Sequence, residues 1–254
     1  MKRILSVFSL LVSLSCAGLA AQNSQYLATT RWVAAIAELA GIGQVDNFAP
    51  SDMTHPPEYE LSPSDILKLS KAKVVFSAGY EGRMVKKINE SLKQGGSFKV
   101  MTVYTDNSAE SLRKESMKIA AEFGSTAQCE KNLKAFDDAI EAARQELKAK
   151  GLFGKEAFVH SYQVSLAQAL GFKVVGTFGP SPVTPEQIAQ AAKLKPAIII
   201  DNYHNMVAKP MLEVSKDSLY VSFLNFPGLF GTSSIVDVAN YNAKQLTSGT
   251  STAK

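Results

Sequence analysis

The stretch Cys129-Glu130-Lys131-Asn132-Leu133-Lys134-Ala135-Phe136-Asp137-Asp138-Ala139-Ile140-Glu141-Ala142-Ala143-Arg144-Gln145-Glu146-Leu147-Lys148-Ala149-Lys150 decides how this chain is organised. Leu133, Phe136, Ile140, Ala143 and Leu147 recur at helical spacing. One apolar face therefore runs the length of a helix whose other face carries Lys, Glu, Asp and Gln. Such a helix reaches roughly 30 Å, and Gly151 ends it. Over 108–150 no strand signal appears, whereas strand and helix signals alternate on either side. A long helix between two alternating segments predicts two lobes on a stiff linker, since nothing inside the helix would kink it.

Working outward, short strands are expected at 26–30, 44–49, 73–77 and 98–104, with helices at 32–39, after Ser62, and at 81–92. Ser62-Pro63-Ser64-Asp65 reads as a helix start, with Ser62 as N-cap, Pro63 at the first helical position and Asp65 facing the positive helix end. Beyond the long helix, strands are expected at 157–159, 172–177, 196–200 and 219–224, and helices at 165–170, 185–193 and 235–246. Repeated strand-helix alternation implies parallel sheets covered by helices. The fold class is α/β: two βα lobes with parallel sheets and one long backbone helix joining them. The expected boundaries are a signal peptide at 1–21, an N-terminal lobe at 22–124, a linker helix at 125–151, a C-terminal lobe at 152–247 and a flexible tail at 248–254.

Lys2 and Arg3, the short apolar core from Ile4 to Leu14 and the small residues Ala17 to Ala21 have the layout of a secretory signal. That core is too short for a stable membrane span, so an exported, periplasmic protein is expected. Cys16 offers a lipid-anchoring option, although Ser13-Leu14-Ser15 before it fits such a motif poorly. Cys129 would then stand alone in the mature chain, which disfavours an intramolecular disulfide and leaves it a small buried hydrophobe. With 27 Lys and Arg against 23 Asp and Glu, well mixed, no basic patch points to nucleic acid. A monomer is expected.

The chain has three histidines, His55, His160 and His204. Each lies at or after an expected strand end, where open α/β sheets place ligand sites, and imidazole is a common ligand for borderline metals. His55 sits in Thr54-His55-Pro56-Pro57-Glu58-Tyr59-Glu60, a loop that its prolines stiffen. His160 follows Ala157-Phe158-Val159 and opens Ser161-Tyr162. His204 lies in Asp201-Asn202-Tyr203-His204-Asn205, where Asp and Asn are also good turn formers.

These residues resemble the metal-binding solute receptors of ABC importers, the zinc/manganese cluster of periplasmic binding proteins. A Pro-His-x-Tyr-Glu-x-x-Pro-Ser-Asp run in that family is similar to His55, Tyr59, Glu60, Pro63, Ser64 and Asp65, with the His-to-Tyr spacing lengthened here. Phe158-Val159-His160-Ser161-Tyr162, Gly171-Phe172, Ser181-Pro182 and Thr184-Pro185-Glu186-Gln187-Ile188 carry the likeness through the second lobe. The resemblance implies two lobes on a backbone helix, a metal held in the cleft, and delivery to a membrane permease. Two departures stand out. Where the family often has a second first-lobe His, this chain reads Thr105-Asp106-Asn107-Ser108. Where it often has a carboxylate after the last strand, this chain reads Asn225-Phe226-Pro227-Gly228. His204 would restore the ligand count, and Asp106 could supply an oxygen.

The leading expectation is therefore a receptor, not an enzyme, that binds a divalent transition metal through His55, His160, His204 and Asp106. Three imidazoles favour Zn(II), with Mn(II) second because its sites are richer in oxygen. Two other readings stay open. One is a zinc hydrolase with Glu58 or Asp201 as base, although no His-Glu-x-x-His or Gly-x-Ser-x-Gly is present. The other is a receptor of the same architecture for a siderophore, haem or cobalamin, with Trp32, Tyr80, Tyr162, Tyr203 and Phe226 lining the cleft.

Overall fold

The structure, a computed structural model, describes residues 25–248. The expected signal segment with Cys16, and residues 249–254 of the expected tail, lie outside the described residues. In chain order the elements are β1 (Tyr26–Ala28), α1 (Arg31–Leu39), β2 (Asp46–Asn47), α2 (Pro63–Leu69), β3 (Val74–Ser77), α3 (Gly82–Lys93), β4 (Lys99–Thr102) and α4 (Ala109–Phe123). Then follow α5 (Thr126–Ala149), β5 (Glu156–His160), α6 (Val164–Ala169), β6 (Lys173–Phe178), α7 (Pro185–Leu194), β7 (Ile198–Asn202), α8 (Lys209–Val214), β8 (Leu219–Phe223) and α9 (Ile235–Thr247). Single 3-10 turns form at Pro56–Glu58, Ser161–Gln163 and Tyr203–Asn205.

Two four-stranded sheets, ordered β2-β1-β3-β4 and β6-β5-β7-β8, are parallel throughout. The same winding thus occurs twice. In each sheet the chain departs to one side of the first strand and returns on the other. The strand order therefore reverses between β1 and β3, and again between β5 and β7. The crevice outside the carboxyl ends of such strands is where α/β folds bind ligands. His160 ends β5, and His204 lies just past β7, so both flank the second lobe's reversal point.

The expected α/β, two-lobed architecture is what the structure shows. Val74, Val75 and Phe76 of β3 are all buried, as a strand covered on both faces requires. Val74 and Phe76 pack with α1, α4 and α5, while Val75 faces Leu69, Met84 and Ile88 on the opposite side. Local signals also act as read. Ser62 and Asp65 form a reciprocal capping box at the start of α2. Gly124, at φ 67°, closes α4 in the left-handed conformation and frees α5 to start at Thr126. Cys129 is buried and unpaired. The β2 strand is only two residues long, shorter than the expected 44–49, and neither α4 nor α8 has a counterpart among the expected elements.

The lobes share two helices rather than one. Cys129, Leu133 and Phe136 of α5 enter the first-lobe core, and Ala143 and Leu147 the second. The α9 helix does the same: Ile235 and Ala239 join the first core, and Ala243 and Leu246 the second. An expected boundary that gives 235–246 wholly to the C-terminal lobe divides the sequence but not the packing. The apolar stripe of α9 lies along α5, so it is buried in both lobes' cores at once. No helix among the described residues is long and apolar enough to cross a membrane.

Candidate functional site

A cavity of about 590 Å³ opens between the lobes. The first lobe contributes Thr30, Trp32, Ala78, Tyr80, Tyr104 and Thr105, with the His55 loop. The second contributes Tyr162, Pro180, Asn202, His204 and Phe226 among others. Among the described residues no Lys, Arg, Asp or Glu lines it. Of the five aromatics expected in the cleft, Trp32, Tyr80, Tyr162 and Phe226 are there. Tyr203 instead packs edge-on against Phe230, and Tyr104 takes a place that the sequence reading did not assign.

The local chemistry explains each position. Thr30 caps α1 and accepts from the Val33 amide. Behind it, the buried Glu81 carboxylate receives Thr29 Oγ1 at 2.5 Å, the Ala78 amide at 3.0 Å and Ser77 Oγ at 3.1 Å. It thereby ties the loops after β1 and β3 together. Its counterpart in the second lobe is Asp201, which accepts from the amides of Asn202 at 2.8 Å and Ala208 at 2.9 Å. It also accepts from the Val207 amide and the Tyr220 hydroxyl. Burial pushes the Asp201 carboxyl up, against those amide bonds that stabilise its charge. The bonds close the loop that carries His204.

The three histidines differ sharply in what they can do. His55 is exposed at the cavity rim, on the residue that precedes the 3-10 turn of Pro56–Glu58. Its loop is anchored by Tyr59, whose hydroxyl donates to Asp65 at 2.8 Å. His160 is fully buried. Its Nδ1 accepts from the Tyr162 amide at 3.2 Å, so Nε2 carries the proton and meets Asn205 Oδ1 at 3.1 Å. Burial lowers its pKa, opposed by the Asn205 bond and the Asp201 charge. Gly179, at φ +71°, lies so close that a Cβ there would fall 2.3 Å from Nε2. Neither ring nitrogen of His160 therefore offers a free lone pair to the cavity.

His204 is the opposite case. It is 7 % exposed, yet neither Nδ1 nor Nε2 has a hydrogen-bond partner. Its ring stacks on Phe226 with centroids 3.9 Å apart. Burial alone drives its pKa down to about 4, so it stands neutral, with both ring nitrogens closed to solvent and unpartnered. Asn202, 1 % exposed and also lining the cavity, has an unpartnered Nδ2.

The structure thus brings His55 and His204 to one cavity and sets His160 behind it. Asp106 is elsewhere: its oxygens accept from Ser108 and Ser111 at the start of α4. Among the described residues no group of three His, Cys, Asp or Glu side chains is poised around one point. The expected set of His55, His160, His204 and Asp106 is not assembled in this arrangement. The reason is local competition, since amides and hydroxyls nearby satisfy His160 and Asp106 first. Asn202 does form the turn its residue type suggests, capping Tyr203–Asn205, and its buried, unpartnered Nδ2 is a feature that no local sequence pattern signals.

The fold is shared with binding proteins of known structure. A Mn-bound periplasmic metal binding protein from Candidatus Liberibacter asiaticus superposes with a TM-score of 0.61 at 15% identity, over 88% of this chain and 98% of that one. The binding protein FpvC of P. aeruginosa, in complex with Ni2+, gives 0.62 at 16% identity, over 88% and 94%. The laminin-binding protein Lbp of Streptococcus pyogenes gives 0.62 at 13%, over 88% and 97%. No protein-family model and no curated protein sequence matches the chain.

Proposed function

We propose that this chain is an extracytoplasmic receptor that captures a divalent transition metal between its lobes and hands it to an ABC permease. The observation that carries this reading is His204, an imidazole with both nitrogens unpartnered, buried in the wall of an interlobe cavity. A buried polar group without a partner costs free energy comparable to a lost hydrogen bond or more. A ligand that takes its lone pair removes that cost. The fold supports the same reading, because structural neighbours of 13% to 16% identity include receptors that hold Mn and Ni2+.

His204 and the rim residue His55 are the first two protein ligands in this proposal. His160 becomes a third only if Asn205 turns away and the ring proton moves from Nε2 to Nδ1, which displaces the Tyr162 amide. Asp106 would have to leave its cap on α4. Nitrogen donors favour Zn(II) over Mn(II). Binding is favoured over hydrolysis, because Asp201 is consumed by backbone amides and Glu58 is absent from the cavity lining. A second reading, a metal chelate as cargo, is favoured by the cavity's size and its aromatic walls. Titrating Zn(II), Mn(II) and Ni(II) into the wild type and into His55→Ala, His160→Ala and His204→Ala by calorimetry tests the site. The largest loss is expected for His204→Ala, and metal affinity indifferent to that change would end the proposal.

A further inference from the structure

Asn202 and His204 together restrict what the cleft can hold. Asn202 Oδ1 accepts from the backbone amide of His204 at 3.3 Å and from Gln163 Nε2 at 3.5 Å. A backbone amide can only donate, so the orientation of the Asn202 side chain is fixed and its Nδ2 is the unpaired end. His204 and Asn202, two residues apart on the same turn, both line the cavity, and just beneath its surface lie an unpartnered imidazole and an unpartnered amide donor, each closed to solvent in this arrangement. A bare dication satisfies the first and repels the second. A metal that arrives with oxyanion ligands of its own satisfies both.

Charge and size point the same way. With no Lys, Arg, Asp or Glu in the lining, a bare dication would bring two uncompensated charges into the cavity. The nearest buried carboxylates, Glu81 and Asp201, already serve backbone and hydroxyl donors and do not face the cavity. At about 590 Å³ the space is that of an organic ligand rather than a single ion. Tyr80, Tyr104 and Tyr162 line it from both lobes while 55%, 64% and 48% exposed. Three half-exposed phenols facing one gap are suited to cover a flat ring system.

We propose that the cleft takes its metal as an electroneutral complex with an aromatic, oxyanion-bearing chelator. His204 completes the metal's coordination, the Asn202 amide donates to a chelator oxygen, and the tyrosines cover the ring. This inference rests on the receptor reading above and specifies the form in which the metal is carried.

The test uses the full chain and three titrants: Zn(II), pyridine-2,6-dicarboxylate, and their one-to-one complex. The dicarboxylate neutralises Zn(II), is planar, and leaves coordination positions open for an imidazole. The complex is expected to bind at least about tenfold more tightly than either component alone. Asn202→Asp puts a carboxylate where the donor stands, so it should weaken the complex and strengthen Zn(II). Tyr104→Ala, at an exposed position, should weaken the complex about threefold and leave Zn(II) unchanged. Zn(II) alone binding as tightly as the complex would overturn the inference and leave the receptor reading intact. Tight binding of the complex that neither variant alters would also overturn it, by placing the complex elsewhere. The chelator binding as well without metal, or no titrant binding at all, would overturn both.

Discussion

Asn107 Nδ2 donates to the backbone carbonyl of Asn225 at 2.6 Å and so joins the loop after β4 to the loop after β8 across the interlobe boundary. The same side chain accepts from Trp32 Nε1 at 2.9 Å. The two loops hold each other by this amide-to-carbonyl hydrogen bond, and residues of both line the cavity. A second strap runs from Arg31 to the carbonyl of Ser233.

Replacing Asn107 by Leu removes both bonds and leaves the Trp32 N–H and the Asn225 carbonyl to find new partners. The expected cost is about 1–3 kcal/mol, read as a lower urea midpoint. The lobes should also separate, seen as a larger radius of gyration in solution scattering. An unchanged midpoint and radius would show that the two shared helices alone hold the lobes.

Burial holds His204 at about 4, below the ordinary imidazole value. The unfolded chain therefore takes up this proton before the folded one does. The stability that neutral His204 contributes is complete above the ordinary value near 6.5 and is lost as pH falls from there through about 4. The loss amounts to roughly 3 kcal/mol. Urea unfolding at pH 7 and pH 4.5 should show a steeper fall in the wild type than in His204→Phe, which keeps the stack on Phe226. Equal slopes in the two proteins would refute the assignment.

At Gly179 the substitution Gly179→Ala should destabilise by about 1–3 kcal/mol. The backbone there is left-handed, and the added Cβ would fall 2.3 Å from His160 Nε2. Thermal melts report the loss. His160 must swing off Asn205 to make room, so its ring resonances in NMR should shift as well; wild-type stability with unshifted resonances would contradict the packing described.

Asp65 links helix capping to the site. It closes the capping box with Ser62 and accepts from Tyr59, which anchors the His55 loop. Although burial alone would raise its pKa, bonds from Ser62 and Tyr59 bring it below the usual carboxylate range. Asp65→Ala should cost about 1–2 kcal/mol in unfolding free energy. It should also weaken Zn(II) binding several-fold, since His55 would then be ordered only on binding. Calorimetry that finds wild-type affinity would detach the cap from the site.

Much of this arrangement is legible in the residues themselves. The stripe Leu133, Phe136, Ile140, Ala143, Leu147 and the strand-helix alternation around it are local patterns, and they specify two βα lobes on a long helix. Local capping chemistry likewise fixes Ser62 and Asp65. What is local also places His160 and His204 at strand ends. The sharing of α9 between the two cores was not legible, because a 13-residue amphipathic helix declares that it has an apolar face and not what covers it.

By itself, then, the sequence determined the lobes, the linker and the sites where ligands can be offered. Only the tertiary structure decided which imidazole keeps its ring nitrogens unpartnered. His160 and His204 occupy equivalent places beside one sheet reversal, yet Asn205 and the Tyr162 amide occupy the first, and nothing occupies the second. A ring nitrogen is a ligand only if no nearer donor or acceptor has taken it, and for a buried ring that is set by how the surrounding turns and loops pack. The same holds for the Asn107–Asn225 bond and the cavity it leaves open, which exist only once the two lobes meet.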